Sequence, residues 1–184
     1  MKTNKFKNSV FLIFTCFITV SCFTLKKIPL KGRYVNEPYI IISEKPYDEV
    51  WSNTIDLFTT QGLSIKLLDK SSGLIVSEKT SFLNDYTFED KNGDLENPDA
   101  SIVIEKYTYK GNNKPVIKPE ELTGEWNIRI KNTGNGKTEI NVNLTNANGS
   151  TFIAGSDFSA PEIISFVGKS TGNFEETVSK TLKK

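Results

Sequence analysis

The 184-residue sequence contains no histidine, and its single methionine is the first residue. It has only two cysteines, Cys16 and Cys22, and both lie near the N-terminus. Without histidine, the chain cannot build a Ser-His-Asp triad, a Cys-His pair, an HExxH zinc helix or an imidazole base. These absences predict that the protein is not an enzyme and that it needs no metal or other cofactor.

The charge of the chain is nearly balanced, with 23 basic and 22 acidic residues. Three of the basic residues, Lys2, Lys5 and Lys7, lie in the first 21 residues, which contain no acid. The rest of the chain therefore has 20 basic and 22 acidic residues and is mildly acidic. Such a well-mixed surface lacks the basic footprint that binds nucleic acid, so no nucleic-acid partner is expected.

The N-terminus has the layout of an export signal. Its three lysines precede an eleven-residue apolar run over residues 10–20, which ends at Ser21 and Cys22. The run is shorter than the roughly 20 apolar residues that a transmembrane helix needs, so a cleaved signal peptide over residues 1–21 is favoured. An uncleaved anchor remains an alternative, because residues 8–25 carry no charge.

The end of this segment, Ile18-Thr19-Val20-Ser21-Cys22, resembles the lipobox of bacterial lipoproteins. The resemblance implies that Cys22 becomes the first mature residue and carries a diacylglycerol on its sulfur and an acyl chain on its amine. Two or three acyl chains would anchor the protein stably in a membrane of the cell envelope, with the outer membrane favoured over the inner. An ordinary secretory signal with an incidental cysteine is the other open interpretation.

The mature chain divides into a predicted tether over residues 22–37 and a single predicted domain over residues 38–184. The tether contains Pro29 and Gly32 and shows no sustained hydrophobic period. Its basic residues fit either contact with an anionic leaflet or simple solvation: Lys26, Lys27, Lys31 and Arg33.

Hydrophobic spacing predicts two helices in the domain. The first begins at Pro46 and stops at Gly62, with apolar residues three and four positions apart between them. The second closes the chain, and Asn173 with Glu176 would form its capping box. Its apolar residues recur at intervals of four: Phe174, Val178 and Leu182.

Alternating hydrophobic residues predict the β segments 39–42, 63–79, 101–109 and 126–144. Residues 111–124 are predicted to form a loop. Residues 151–167 are ambiguous and fit an edge strand at 152–153 followed by a turn of helix after Pro161. The order of elements predicts an α+β fold. In it, a long N-terminal helix and a C-terminal helix pack on one face of an antiparallel sheet.

Two stretches, residues 45–79 and 170–175, resemble a known family. The first is similar to the helix-grip domains of outer-membrane assembly lipoproteins of the BamC kind, and the similarity lies in residues 46–51, 62–65, Asp69 and 73–77. The tail 170–175 resembles the start of the last helix in some relatives. The resemblance implies a helix-grip fold and a non-catalytic role, either as an assembly factor or as an accessory factor in an envelope protein complex.

Helix-grip folds can open a groove between the helix and the sheet, which would suit a lipid or a peptide. The predicted lining residues of such a groove are Trp51, Tyr107, Tyr109 and Trp126. The same aromatic residues would equally fill a packed core. A lipid- or peptide-binding module is therefore the alternative function.

An acidic run over residues 85–99 has one feature of a calcium loop. Asp90, Asn92 and Asp94 have the opening spacing, but Leu95 stands where glycine is needed and Ser101 where glutamate is needed. A solvated loop without a metal is therefore predicted.

Two pairs of adjacent carboxylates could in principle perform glycosidase chemistry, which uses paired acids. They are Glu120–Glu121 and Glu175–Glu176. Neighbours in a loop or on a helix rarely converge on one substrate, so both pairs are predicted to be surface charge. The asparagines of the second hairpin are likewise expected on an exposed polar face, and they include Asn127, Asn141, Asn143, Asn146 and Asn148.

Overall fold

The computed structural model describes residues 25–36, 38–109, 115–134, 136–154 and 160–183. The predicted signal peptide and Cys22 lie outside these residues. The helices are α1 (Tyr47–Thr60) and α2 (Asn173–Leu182). The strands are β1 (Leu25–Ile28), β2 (Tyr39–Ser43), β3 (Ile65–Asp69), β4 (Leu74–Ser77), β5 (Thr80–Ser81), β6 (Tyr86–Thr87), β7 (Ile102–Ile104), β8 (Lys106–Tyr109), β9 (Val116–Ile117), β10 (Glu121–Asn132), β11 (Thr138–Ile153) and β12 (Glu162–Ser170).

The described residues form two helices and two open sheets, so the predicted α+β class is confirmed. In the larger sheet the order is β3-β4-β10-β11-β12-β7-β6, with β2 also paired to β11 and β5 to β10. Its described pairs are antiparallel except β6 with β7. The smaller sheet has the order β1-β8-β9. The helices α1 and α2 contact each other, α1 contacts β10, and α2 contacts β2.

The β10–β11 hairpin is the centre of the larger sheet. On β10, Trp126, Ile128 and Ile130 are buried, whereas Arg129 and Lys131 are exposed on the other face. This alternation confirms the predicted hairpin. The hairpin is longer than predicted, because β10 already begins inside the expected loop and β11 runs on to pair with β12.

The first predicted helix is confirmed and begins one residue later than expected, with Pro46 as its N-cap. Gly62 follows the last turn with a φ of +68°, a left-handed conformation that glycine adopts at little cost. The buried residues of α1 are Val50, Trp51, Thr54, Leu57 and Phe58, at the three- and four-residue spacing that predicts the helix.

The second predicted helix is also confirmed, but its predicted capping box is wrong. The N-cap is Gly172, with a φ of +100° and no side-chain cap. Asn173 instead donates from its carboxamide to the carbonyl oxygens of Pro98, at 2.6 Å, and Ala100, at 2.9 Å. Glu176 pairs on the surface with Lys180 at 3.4 Å. Long-range contacts with the 98–100 segment therefore override the local capping pattern.

Residues 162–170 form a strand, so the expected turn of helix after Pro161 is wrong, whereas residues 152–153 do lie in a strand, the end of β11. Ile164 and Phe166 are buried, while Ile163 before them, Ser165 between them and Val167 after them are exposed. That period of two is the signature of a half-buried strand. It places β12 beside the far half of β11.

The predicted 63–79 hairpin is confirmed, and its turn is held by Asp69. The Asp69 carboxylate accepts hydrogen bonds from the hydroxyls of Ser71, at 2.6 Å, and Ser72, at 2.7 Å. These bonds favour the ionised form and lower the pKa of Asp69 to about 2. Gly73 closes the turn with a φ of +71°, where a Cβ would collide with the carbonyl oxygen of Ile130.

Residues 25–36, which the sequence places in a tether, instead pack on the domain. The strand β1 pairs along its length with β8, and the N–H of Val35 donates to the carbonyl oxygen of Ser170 at 2.9 Å. The Arg33 guanidinium forms a salt bridge with Asp94 at 2.6 Å, and the Lys31 N–H donates to the Glu89 carboxylate. Opposite charges far apart in sequence thus bring the basic segment onto the acidic run.

The acidic run is organised by its own hydrogen bonds. The Asp90 carboxylate accepts the backbone N–H groups of Asn92, at 2.7 Å, and Asp94, at 2.9 Å, and these bonds lower the pKa of Asp90. Glu89 is buried against the 31–33 segment. Within the described ranges, no three acidic side chains converge as a cation site.

Candidate functional site

Trp126, a predicted groove residue, lies in the centre of the core. Its side chain is 1% exposed, stacks on Phe174 of α2 with ring centroids 4.1 Å apart, and meets Phe82 edge-on at 6.4 Å. The start of α2 thus packs directly against β10. This position leaves the indole inside the core and away from any surface groove.

The other three predicted lining residues are dispersed. Trp51 is buried on α1 and stacks on Tyr47 at 6.1 Å. Tyr107 meets Phe166 edge-on at 5.3 Å and donates its hydroxyl to the carbonyl oxygen of Ser165 at 3.2 Å. Tyr109 is half-buried on β8. Two of the four residues therefore share β8, but the structure does not gather all four into one groove.

The structure shows a different candidate site, a polar cleft of about 330 Å³ beside β11. We call it the β11 cleft. Its polar lining residues are Asn36, Asn143, Asn146, Asn148, Lys169, Ser170 and Glu175, and its apolar lining residues are Val35, Leu144, Ala147, Val167 and Gly168.

The β11 cleft exists because two strands share one edge of β11 without meeting. The pairing with β2 ends at Val142, opposite Tyr39, and the pairing with β12 begins at Asn148, opposite Val167. Residues 143–147 thus lack a strand neighbour on that side within the described pairing. The gap in the sheet forms the opening of the cleft.

A β-bulge at Asn146 shapes the rim of the cleft. Asn146 has a φ of +53°, and the register between β10 and β11 shifts at this point. Its carboxamide donates to the Glu125 carboxylate at 2.9 Å, and Lys66 donates to the same carboxylate at 2.8 Å. The hydrogen bond from Lys66, followed by that from Asn146, lowers the pKa of Glu125. The bulge is therefore fixed by an ionised side chain.

Glu175 lies at the floor of the cleft, in the first turn of α2, and is fully buried. Its Oε2 atom accepts a hydrogen bond from the Ser170 hydroxyl at 2.7 Å. Its Oε1 atom has no hydrogen-bond partner. Burial raises the pKa of Glu175, and the bond from Ser170 offsets only part of that effect.

The expectation that Glu175 is surface charge is therefore wrong. Helical geometry explains why, since Glu175 precedes Val178 by three positions and Leu182 by seven and so shares their buried face. The same spacing was available in the sequence as a signal. Glu176, one position further along, points outward and is the exposed member of the pair.

Lys169 is the other ionisable residue that lines the cleft. The residue is half-buried on β12, and its ammonium lies 6.0 Å from the centre of the Tyr34 ring. Among the described acidic residues, none forms a salt bridge with it, and Glu175 is no exception. The cleft thus holds one cation and one carboxyl group that do not neutralise each other.

The chemistry of the lining suits binding. Carboxamides donate and accept hydrogen bonds, the lysine donates, and the carboxyl group can accept. The asparagines were expected on an exposed polar face, and Asn146 and Asn148 are indeed exposed. Sequence periodicity alone gave no sign that they border a cleft, because the cleft depends on where β2 and β12 pair with β11.

Comparison of the sequence with protein-family models and with curated proteins gave no match. Among the described helices, none combines the length and the apolar character needed to cross a bilayer.

Proposed function

We propose that this protein is a lipid-anchored, non-catalytic accessory or assembly factor of the bacterial cell envelope. The observation that carries the proposal is the sequence around Cys22, where a basic start and a short apolar run end in a lipobox-like segment. The missing residue types support a non-catalytic role, since a chain without histidine lacks the usual acid–base and nucleophile-activating groups.

The start of β1 limits how far the domain can lie from an anchor at Cys22. Only three residue steps separate Cys22 from Leu25, where β1 begins, and three extended residues span about 10 Å at most. An acylated Cys22 would therefore hold the domain directly against the membrane surface. This arrangement favours partners or ligands at the membrane over partners reached by a long tether.

The finer helix-grip arrangement and the likeness to assembly lipoproteins belong to the same proposal. Support comes from α1 and α2, which contact each other and lie against β10 and β2 of one sheet. The aromatic core between α2 and β10 fills the place where such a fold could otherwise open an apolar groove.

Cys22→Ala tests the anchor, and Cys16→Ala is the matched control. In a lipoprotein-processing bacterium, we expect the Cys22 variant to lose all palmitate labelling and to accumulate as uncleaved precursor. The control should be labelled and processed like the unmodified chain, because its cysteine lies within the discarded signal. Normal labelling of the Cys22 variant, or loss of labelling in the Cys16 variant, would contradict the proposal.

A further inference from the structure

Two residues that line the β11 cleft, the buried Glu175 and the half-buried Lys169, point to a ligand. An unpaired buried polar atom costs free energy, about 1–3 kcal/mol for a neutral group and more for a charged one. The Glu175 Oε1 atom is such an atom, and Lys169 also lines the cleft that it borders. A molecule that satisfies both groups must present a hydrogen-bond donor to one and an acceptor to the other.

We propose that the β11 cleft binds a small zwitterion, the chemical class of the free amino acids. Its ammonium group contacts Glu175 and its carboxylate contacts Lys169. Charge-assisted hydrogen bonds of this kind are about twice as strong as neutral ones. This proposal goes beyond the anchoring function and does not depend on Cys22.

The charges of the cleft disfavour other ligand classes. A phosphate or a dicarboxylate would pair with Lys169 but would bring no cation to the Glu175 carboxyl group. A divalent cation could bind the Glu175 carboxyl group but would be repelled by the Lys169 ammonium, and a neutral sugar would leave Lys169 without a counter-ion. Only a ligand that carries both signs compensates the two groups at once.

The rest of the cleft fits a compact polar molecule. Its volume of about 330 Å³ lies at the lower end of the range for small-molecule sites, roughly 300–1,000 Å³. Asn143 and Asn148 bring carboxamides that can bind either end of a zwitterion. Val35, Leu144 and Val167 add apolar surface for a short side chain.

Access to the floor requires a local opening. Oε1 of Glu175 is shielded from solvent, so the side chains above it must part before an ammonium group can reach it. The segment at Val35 and Asn36 forms part of this cover, and a backbone hydrogen bond from Val35 to Ser170 joins it to β12.

Thermal-shift and calorimetric titrations of the full chain in detergent test the proposal. The probes are the twenty common amino acids, each tested alone. Every probe that binds is compared with its N-acetyl derivative, which lacks the ammonium, and with its amide, which lacks the carboxylate. We expect at least one free amino acid to bind and both of its derivatives to bind at least tenfold more weakly. No binding by any amino acid would overturn the proposal, as would equal binding of the derivatives.

Matched variants assign the two ends of the ligand. Glu175→Gln keeps the shape of the floor and should weaken binding at least tenfold, and Lys169→Gln should do the same. Glu176→Gln and Lys180→Gln alter exposed charges elsewhere on α2 and should leave affinity within twofold. Wild-type affinity in Glu175→Gln, with circular dichroism showing a folded domain, would refute the assignment. So would an equal loss of affinity in the two control variants.

Discussion

Replacing Trp126 with alanine is expected to lower the free energy of unfolding by about 3–5 kcal/mol, the usual cost of deleting a large buried aromatic side chain. The indole is almost fully buried and contacts rings from two other parts of the chain, Phe174 on α2 and Phe82 beyond β5. Its removal leaves a cavity where α2 docks on the sheet. Urea unfolding followed by circular dichroism measures the effect without relying on tryptophan fluorescence.

Trp126→Phe is the control, because a smaller ring still stacks on Phe174 and should retain more than half of the lost stability. The alanine variant also separates the core role from the groove role that the sequence suggested. A groove-lining side chain is already solvated, so its removal would cost less than about 1 kcal/mol. A loss that small would show that Trp126 does not join α2 to the sheet.

Glu175→Gln is expected to stabilise the ligand-free domain at pH 8 by about 1–3 kcal/mol, because a neutral carboxamide avoids the desolvation cost of burying an ionisable carboxyl group. Burial raises the pKa of Glu175 in the folded state. The native state therefore holds a proton that the unfolded chain releases at lower pH. Stability from this group is complete below the unfolded pKa and is lost as the pH rises through the folded pKa.

The measurement is the difference in unfolding free energy between Glu175→Gln and the unmodified domain, from pH 4 to pH 8. We expect this difference to increase with pH in favour of the variant. The subtraction cancels the groups with lowered pKa, such as Asp69, Asp90 and Glu139, whose contributions are lost as the pH falls. Glu176→Gln should show no such trend, and a flat difference for Glu175→Gln would show that its carboxyl group is not penalised by burial.

Local periodicity predicts the elements whose partners lie close in sequence. The apolar stripe of α1, the turn at Asp69 and the alternation along β10 each predict an element that the structure contains. In each case, the side-chain pattern and the turn residues specify the same local geometry. The packing of Phe174, Val178 and Leu182 in α2 was equally evident from their spacing.

Features that depend on distant partners were not predictable in this way. Nothing near Arg33 indicates that it pairs with Asp94, and nothing near Pro161 indicates that the following residues add to β11. The β11 cleft results from two such long-range pairings that stop short of each other. Glu175 is the exception, since its helical position already placed it on the buried face.

Intact-mass spectrometry of the protein extracted from membranes tests the central proposal most directly. We predict a mass equal to that of the chain beginning at Cys22 plus a diacylglycerol, with an additional acyl chain where the host acylates the amine. The Cys16→Ala variant should give the same mass. A chain that retains Met1, or one that begins elsewhere and carries no lipid, would contradict the proposal.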